Sequence, residues 1–196
     1  MSGQSAEELL SPREVPAEQV CGIKQAGETI EECIRKNMPV VIVGDYDADG
    51  ITSTSLMLQV LRHLLPQERL GYYIPSRFEE GYGLNRDALR QIAERGYQAV
   101  ITVDCGSVSA EEVRYAKELG LSILVTDHHT ITDRMADCLL VNPKRADSAY
   151  PFRELCGCGV AFKMAQLLQK PEVTSALVFT RTKHGADRVV RELARA

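Results

Sequence analysis

Pro39-Val40-Val41-Ile42-Val43-Gly44-Asp45-Tyr46-Asp47-Ala48-Asp49-Gly50 is the stretch on which the reading of this chain turns. Its first half is a short, continuous apolar run rich in β-branched residues, the pattern of a strand buried on both faces. Its second half places three carboxylates within five residues, directly after that strand. Gly50 then opens a helical stretch, Ile51 to Leu65, which Pro66 stops.

The same alternation repeats on both sides. Upstream, Ile23, Ala26, Ile30 and Ile34 recur at helical spacing between Gly22 and Asn37. Downstream, Leu70–Ile74 reads as a strand, and Asn85–Arg95 as a helix with Asn85 as its N-cap and Gly96 past its end. Ala99–Val103 is a strand, and Ser109–Leu119 a helix with Glu111 and Glu112 in its first turn. Leu121–Val125 and Cys138–Val141 are strands, and Gly157–Leu168 is a helix. Strands alternating with helices of this length predict an α/β fold: a mostly parallel, doubly wound sheet with helices on both faces.

Carboxylates and imidazoles fall where such a fold does its chemistry. Asp45, Asp47 and Asp49 follow one predicted strand, Asp104 a second, and Asp127-His128-His129 a third. Open α/β sheets bind ligands outside the carboxyl ends of their strands. Three strands therefore deliver acid and imidazole groups to one edge, a donor set suited to divalent metals of the Mn, Mg or Zn type. The run D-x-D-x-D-G is also how a calcium loop begins. No Glu lies between Ile51 and Leu65 to complete one, and a helix starts at once.

Composition narrows the function classes. The 196 residues are 44% hydrophobic and 26% charged, as in ordinary water-soluble domains. No apolar run approaches the roughly 18–20 residues of a membrane span, and the polar, acidic N-terminus does not read as a signal peptide, so a cytoplasmic protein without membrane contact is expected. The net charge of −4 excludes wholesale polycationic binding to nucleic acid but leaves metal-mediated contact with phosphate open. The six cysteines read as reduced packing residues, and Cys156-Gly157-Cys158 is one residue too short for the usual metal knuckle.

Gly44-Asp45-Tyr-Asp47-Ala-Asp49-Gly50, Val103-Asp104-Cys-Gly106 and Asp127-His128-His129 resemble the first three motifs of the DHH phosphoesterase superfamily. Pro75-Ser-Arg77-Phe-Glu-Glu-Gly81-Tyr-Gly83-Leu84 and Leu155-Cys-Gly-Cys-Gly-Val-Ala-Phe162 resemble its RecJ-like branch, single-strand-specific exonucleases. The resemblance runs from about Val40 to about Leu168. It implies a Mn²⁺- or Mg²⁺-dependent hydrolase that degrades single-stranded DNA from the 5′ end, in DNA repair and recombination. It further implies that Asp45, Asp47, Asp49, Asp104 and His128 line a two-metal site, with Asp104 bridging. His129 would face the scissile phosphate, Asp127 would orient His128, and Arg77 would contact substrate phosphate. Paired metals suit in-line displacement at phosphorus. Within the same superfamily, small nucleotides or short oligonucleotides are alternative substrates, and a catalytically incomplete metal-binding remnant is a third reading.

The resemblance implies a further metal-binding Asp after the Gly-rich helix, yet no Asp lies between Asp147 and Asp187. The closing DHHA1 domain has no counterpart either, so a truncated catalytic lobe is expected. Three segments follow: a loose arm over 1–20, a DHH domain over 21–170 and a strand–helix tail over 171–196. Ser175–Ala194 resembles the start of the second RecA-like domain of DEAD-box helicases. From Thr180 onward the tail carries net charge +3, against −7 for the rest.

Overall fold

The structure is a computed structural model that describes residues 15–168, apart from 77, 79 and 82. Its elements are α1 (Ile23–Arg35), β1 (Val40–Gly44), α2 (Ala48–Arg62), β2 (Leu70–Tyr73), α3 (Arg86–Glu94), β3 (Ala99–Val103), α4 (Ala110–Glu118), β4 (Ser122–Thr126), β5 (Leu139–Val141) and α5 (Gly157–Leu168). The five strands form one sheet in the order β2-β1-β3-β4-β5, and every pairing is parallel. The doubly wound α/β architecture read from the sequence is the one observed.

Period-two alternation along the strands sorts the core into two layers. Val40, Ile42, Ala99, Ile101, Val103 and Leu124 face a layer supplied by α1, α2 and α5. Val41, Val43, Val100, Val125 and Leu140 face the other, supplied by α3 and α4. Burial on both faces explains why these strands read as unbroken apolar runs.

Strand order reverses between β1 and β3, because β2 lies on one side of β1 and the later strands on the other. That is a topological switch point, where the loops leaving neighbouring strands diverge and open a crevice. Gly44 pairs with Val103, Val103 with Thr126, and Thr126 with Val141. The residues that follow these four, namely Asp45, Asp104, Asp127 and Asn142, therefore emerge side by side along one edge.

Several element ends shift by one to three residues from the sequence reading, and two differences have a physical cause in the structure. The helix expected to open at Gly50 begins at Ala48, because the Asp47 carboxylate caps it, accepting from the amides of Asp49 (2.8 Å) and Gly50 (2.9 Å). The arm expected to be loose over 1–20 is packed where it is described: Ala17 and Val20 are buried in the core, and Lys163 Nζ donates to the Val15 carbonyl at 2.8 Å. Residues 1–14 and the tail 171–196 lie outside the described residues. Asn85 caps α3 as expected, its Oδ1 accepting from the Ala88 amide at 2.7 Å. Asn85→Ala should therefore cost about 1 kcal/mol, read as a lowered urea midpoint with an unchanged slope.

Candidate metal centre

β1 and β3 each deliver one buried carboxylate to the site. Asp45 is 3% exposed and Asp104 2%. The first turn of α2 packs directly on Asp45, and Gly50 permits this: a Cβ there would stand 2.4 Å from the Asp45 carbonyl oxygen. Asp104 sits at φ 60°, in the left-handed region. The turn that holds it is braced, with the Thr102 hydroxyl donating to the Cys105 carbonyl (2.7 Å) and the Asp104 amide to the Thr126 carbonyl (3.1 Å). Left-handed backbone is uncommon outside glycine, and such strain persists where surrounding bonds over-determine it.

Among the described residues, two groups of donors converge, and they share one member. Asp45, Asp47 and Asp104 offer ligand atoms within 4.8 Å of one another, as do Asp104, His128 and His129. His128 Nε2 lies 3.0 Å from Asp104 Oδ1 and 3.6 Å from Asp49 Oδ2. Burial, with repulsion from Asp49 and Asp47 added, pushes the Asp104 carboxyl up to about 6 against the pull of His128. Burial likewise raises Asp45, and one of its oxygens, Oδ1, is buried without a hydrogen-bond partner. A buried carboxylate oxygen with no donor costs on the order of 1–3 kcal/mol or more. Crowded, desolvated carboxylates beside an imidazole are what a divalent cation compensates, and hard oxygen donors suit Mn²⁺ and Mg²⁺. The residues present fit such a cation.

Asp49 stands at the edge of this cluster. Its two oxygens accept from the amides of Gly157 (2.8 Å) and Cys158 (2.7 Å), so it caps the start of α5 while remaining beside His128. Asp127, 1% exposed, does not bond the ring of His128, as the sequence reading had it. Its Oδ1 accepts from His129 Nδ1 at 2.8 Å and from the backbone amides of His128 (2.7 Å) and His129 (3.1 Å). Rotation about two neighbouring backbones decides which imidazole meets the carboxylate, and the chain order Asp-His-His does not reveal it. Burial by itself would raise Asp127; the bonds from His129 and Ser107 outweigh it and hold the carboxyl below its ordinary value. The same bond raises His129 above the usual imidazole range, against the effect of burial.

Arg77 lies outside the described residues. The cysteines are free, and burial raises Cys105 well above an ordinary thiol, consistent with packing rather than ligation. Sequence reasoning missed Ser107 and Asn142, both fully buried beneath Asp127. No helix among the described residues is long and apolar enough to cross a membrane.

Residues 39–187 match the DHH family, N-terminal domain. The single-stranded-DNA-specific exonuclease RecJ of Bacillus subtilis (strain 168) is 48% identical over 148 residues, which is 75% of this chain and 19% of that protein. The crystal structure of exonuclease RecJ bound to manganese aligns with a TM-score of 0.71 at 31% identity, over 79% of this chain and 39% of that one. RecJ from Thermus thermophilus in complex with Mn²⁺ aligns with a TM-score of 0.63 at 29% identity, over 76% of this chain and 21% of that one. The chain spans about a fifth to a quarter of the length of the curated relatives it matches.

Proposed function

The chain belongs to the DHH family, and from that premise we propose that it is the catalytic lobe of a metal-dependent phosphodiesterase of RecJ type, acting on single-stranded DNA from the 5′ end. One observation carries the reading: a single buried carboxylate, Asp104, is common to two donor groups at the switch point of the sheet. Bound there, Mn²⁺ or Mg²⁺ would supply Lewis acidity and positive charge to a phosphodiester in an otherwise acidic cleft.

The residues divide the work. Asp45, Asp47 and Asp104 would hold one cation. Asp104 and His128, with Asp49 beside them, would hold the other. His129, its Nδ1 bonded to Asp127, would act on the phosphoryl oxygens through Nε2, and its raised pKa favours the charged form that stabilises developing negative charge. Arg77 would contact substrate phosphate. Stacking and backbone contacts suffice for single strands without base readout. The same reading puts the protein in the cytoplasm, in DNA repair and recombination.

The test is a turnover panel with the full chain. A 5′-phosphorylated single strand should shorten from its 5′ end with Mn²⁺ or Mg²⁺, stop on chelation, and be preferred over duplex. Turnover of cyclic dinucleotides or pyrophosphate alone would move the chain to another substrate within the family. Calorimetric Mn²⁺ binding with no turnover of any substrate would make it a metal-binding lobe without independent activity.

A further inference from the structure

The register that carries Asp45, Asp104 and Asp127 to the sheet edge carries Asn142 there as well, at the end of β5. Asn142 is wholly buried, and both polar atoms of its side-chain amide are hydrogen-bonded. Nδ2 donates to Ser107 Oγ (2.8 Å) and to the His129 carbonyl (3.0 Å), while Oδ1 accepts from the Lys144 amide (2.8 Å). Because the Lys144 N–H can only donate, it fixes which way the Asn142 amide is turned. Ser107 is equally buried, and its amide donates to Asp127 Oδ2 at 2.9 Å. Since Nδ2 has no lone pair to offer, Ser107 Oγ accepts from Asn142.

Asn142 thus anchors the Ser107 side chain, and the Ser107 backbone amide donates to Asp127. A carboxylate approached by several N–H groups, as Asp127 is, stays ionised and only accepts. The nitrogen of His129 that faces it must then carry the proton. We propose that Asn142 and Ser107 are positioning residues: they orient Asp127, and through it they keep a proton on His129 Nδ1 and turn Nε2 away from Asp127, in the charged and the neutral ring alike, while Asn142 also fixes the His129 backbone. The consequence for turnover rests on the reading in which His129 serves the phosphoryl group. A ring held by buried hydrogen bonds needs little reorganisation when charge develops beside it.

The experiment is ring-nitrogen NMR on the metal-free full chain labelled with [¹⁵N]histidine, which has only four histidines to assign. Recorded at alkaline pH, where the ring is neutral, the unaltered chain should show His129 as the Nδ1–H tautomer. Asn142→Ala and Asn142→Asp, which both remove the Nδ2 donors, should shift it to a tautomer mixture. Val141→Ala, a buried truncation next along β5, controls for loosened packing and should leave the pattern unmoved. A His129 pattern unchanged in Asn142→Ala, or moved equally by Val141→Ala, overturns the inference. In turnover, Asn142→Ala should lower kcat roughly 10–100-fold with KM within about threefold. That loss should vanish in a His129→Ala background, and a loss of the same size there also overturns it. The ring spectrum decides the inference whether or not the chain turns over DNA, so failure of the functional reading is seen separately.

Discussion

Asp104→Asn is expected to weaken Mn²⁺ binding by at least about 100-fold in calorimetry and to abolish phosphodiesterase turnover, while the metal-free protein remains folded. Changes to groups that merely support metal ligands cost roughly 10–100-fold, and Asp104 belongs to both donor groups, so its loss should exceed that range. Asparagine is the right replacement because it tolerates the left-handed backbone at φ 60° and keeps the side-chain shape. The effect on stability has the opposite sign. Burial, then repulsion from Asp49 and Asp47, raises the folded carboxyl from 3.8 to about 6. Stability from a raised carboxyl is fully present below the unfolded pKa and is lost as pH rises through the folded one. The metal-free chain should therefore lose on the order of 3 kcal/mol from this group between about pH 4 and pH 7. Asp127, whose carboxyl is lowered, contributes in the other direction, its stabilisation fading as pH falls through its depressed value. Thermal unfolding in chelator should show the Asp104→Asn variant flatter across that window and more stable than the unaltered chain at neutral pH. Unchanged Mn²⁺ affinity would remove Asp104 from the centre.

What could be read from the chain depended on whether the determining physics was local. Strand and helix alternation was legible because each parallel strand, buried on both faces, writes an apolar run, and each amphipathic helix writes a 3.6-residue period. The acidic residues after β1, β3 and β4 were legible as a site for the same reason: their place follows from where strands end. The order of the strands was not, since nothing in Leu70-Gly71-Tyr72-Tyr73 says that it lies outside β1. The cap role of Asp47 had a local signal, an Asp immediately before a helical run, but Gly50 drew the helix start three residues too late. Asn142 had none. An Asn after a short strand reads as a turn residue. It acquires a role only because β5 pairs with β4 and sets it against Ser107 and the His129 backbone.

Gly157→Ala should destabilise the protein by about 1–3 kcal/mol and lower Mn²⁺ affinity at least about tenfold. The sign is the informative part. Alanine in place of glycine in a helix ordinarily gains up to about 1 kcal/mol. Here the added Cβ would stand 2.3 Å from Asp104 Oδ1, 2.6 Å from its Cγ and 2.7 Å from its Cβ. No rotamer of Asp104 relieves contact with its own Cβ, and the braced turn after β3 cannot follow. Retreat of α5 is opposed as well, because the Gly157 and Cys158 amides are held by Asp49, and Val160, Ala161 and Met164 are buried in the layer that α2 shares. Either the carboxylate or the helix start must move, and both border the centre. Gly159→Ala is the matched comparison, since its Cβ would meet mainly the end of the Leu155 side chain (2.5 Å to Cδ1), which can swing aside. That variant should lose less stability and keep its Mn²⁺ affinity. Denaturation and calorimetry on the two variants separate the cases: equal losses of affinity would assign the effect to general loosening of α5, whereas a loss confined to Gly157→Ala assigns it to the close approach between the helix start and Asp104.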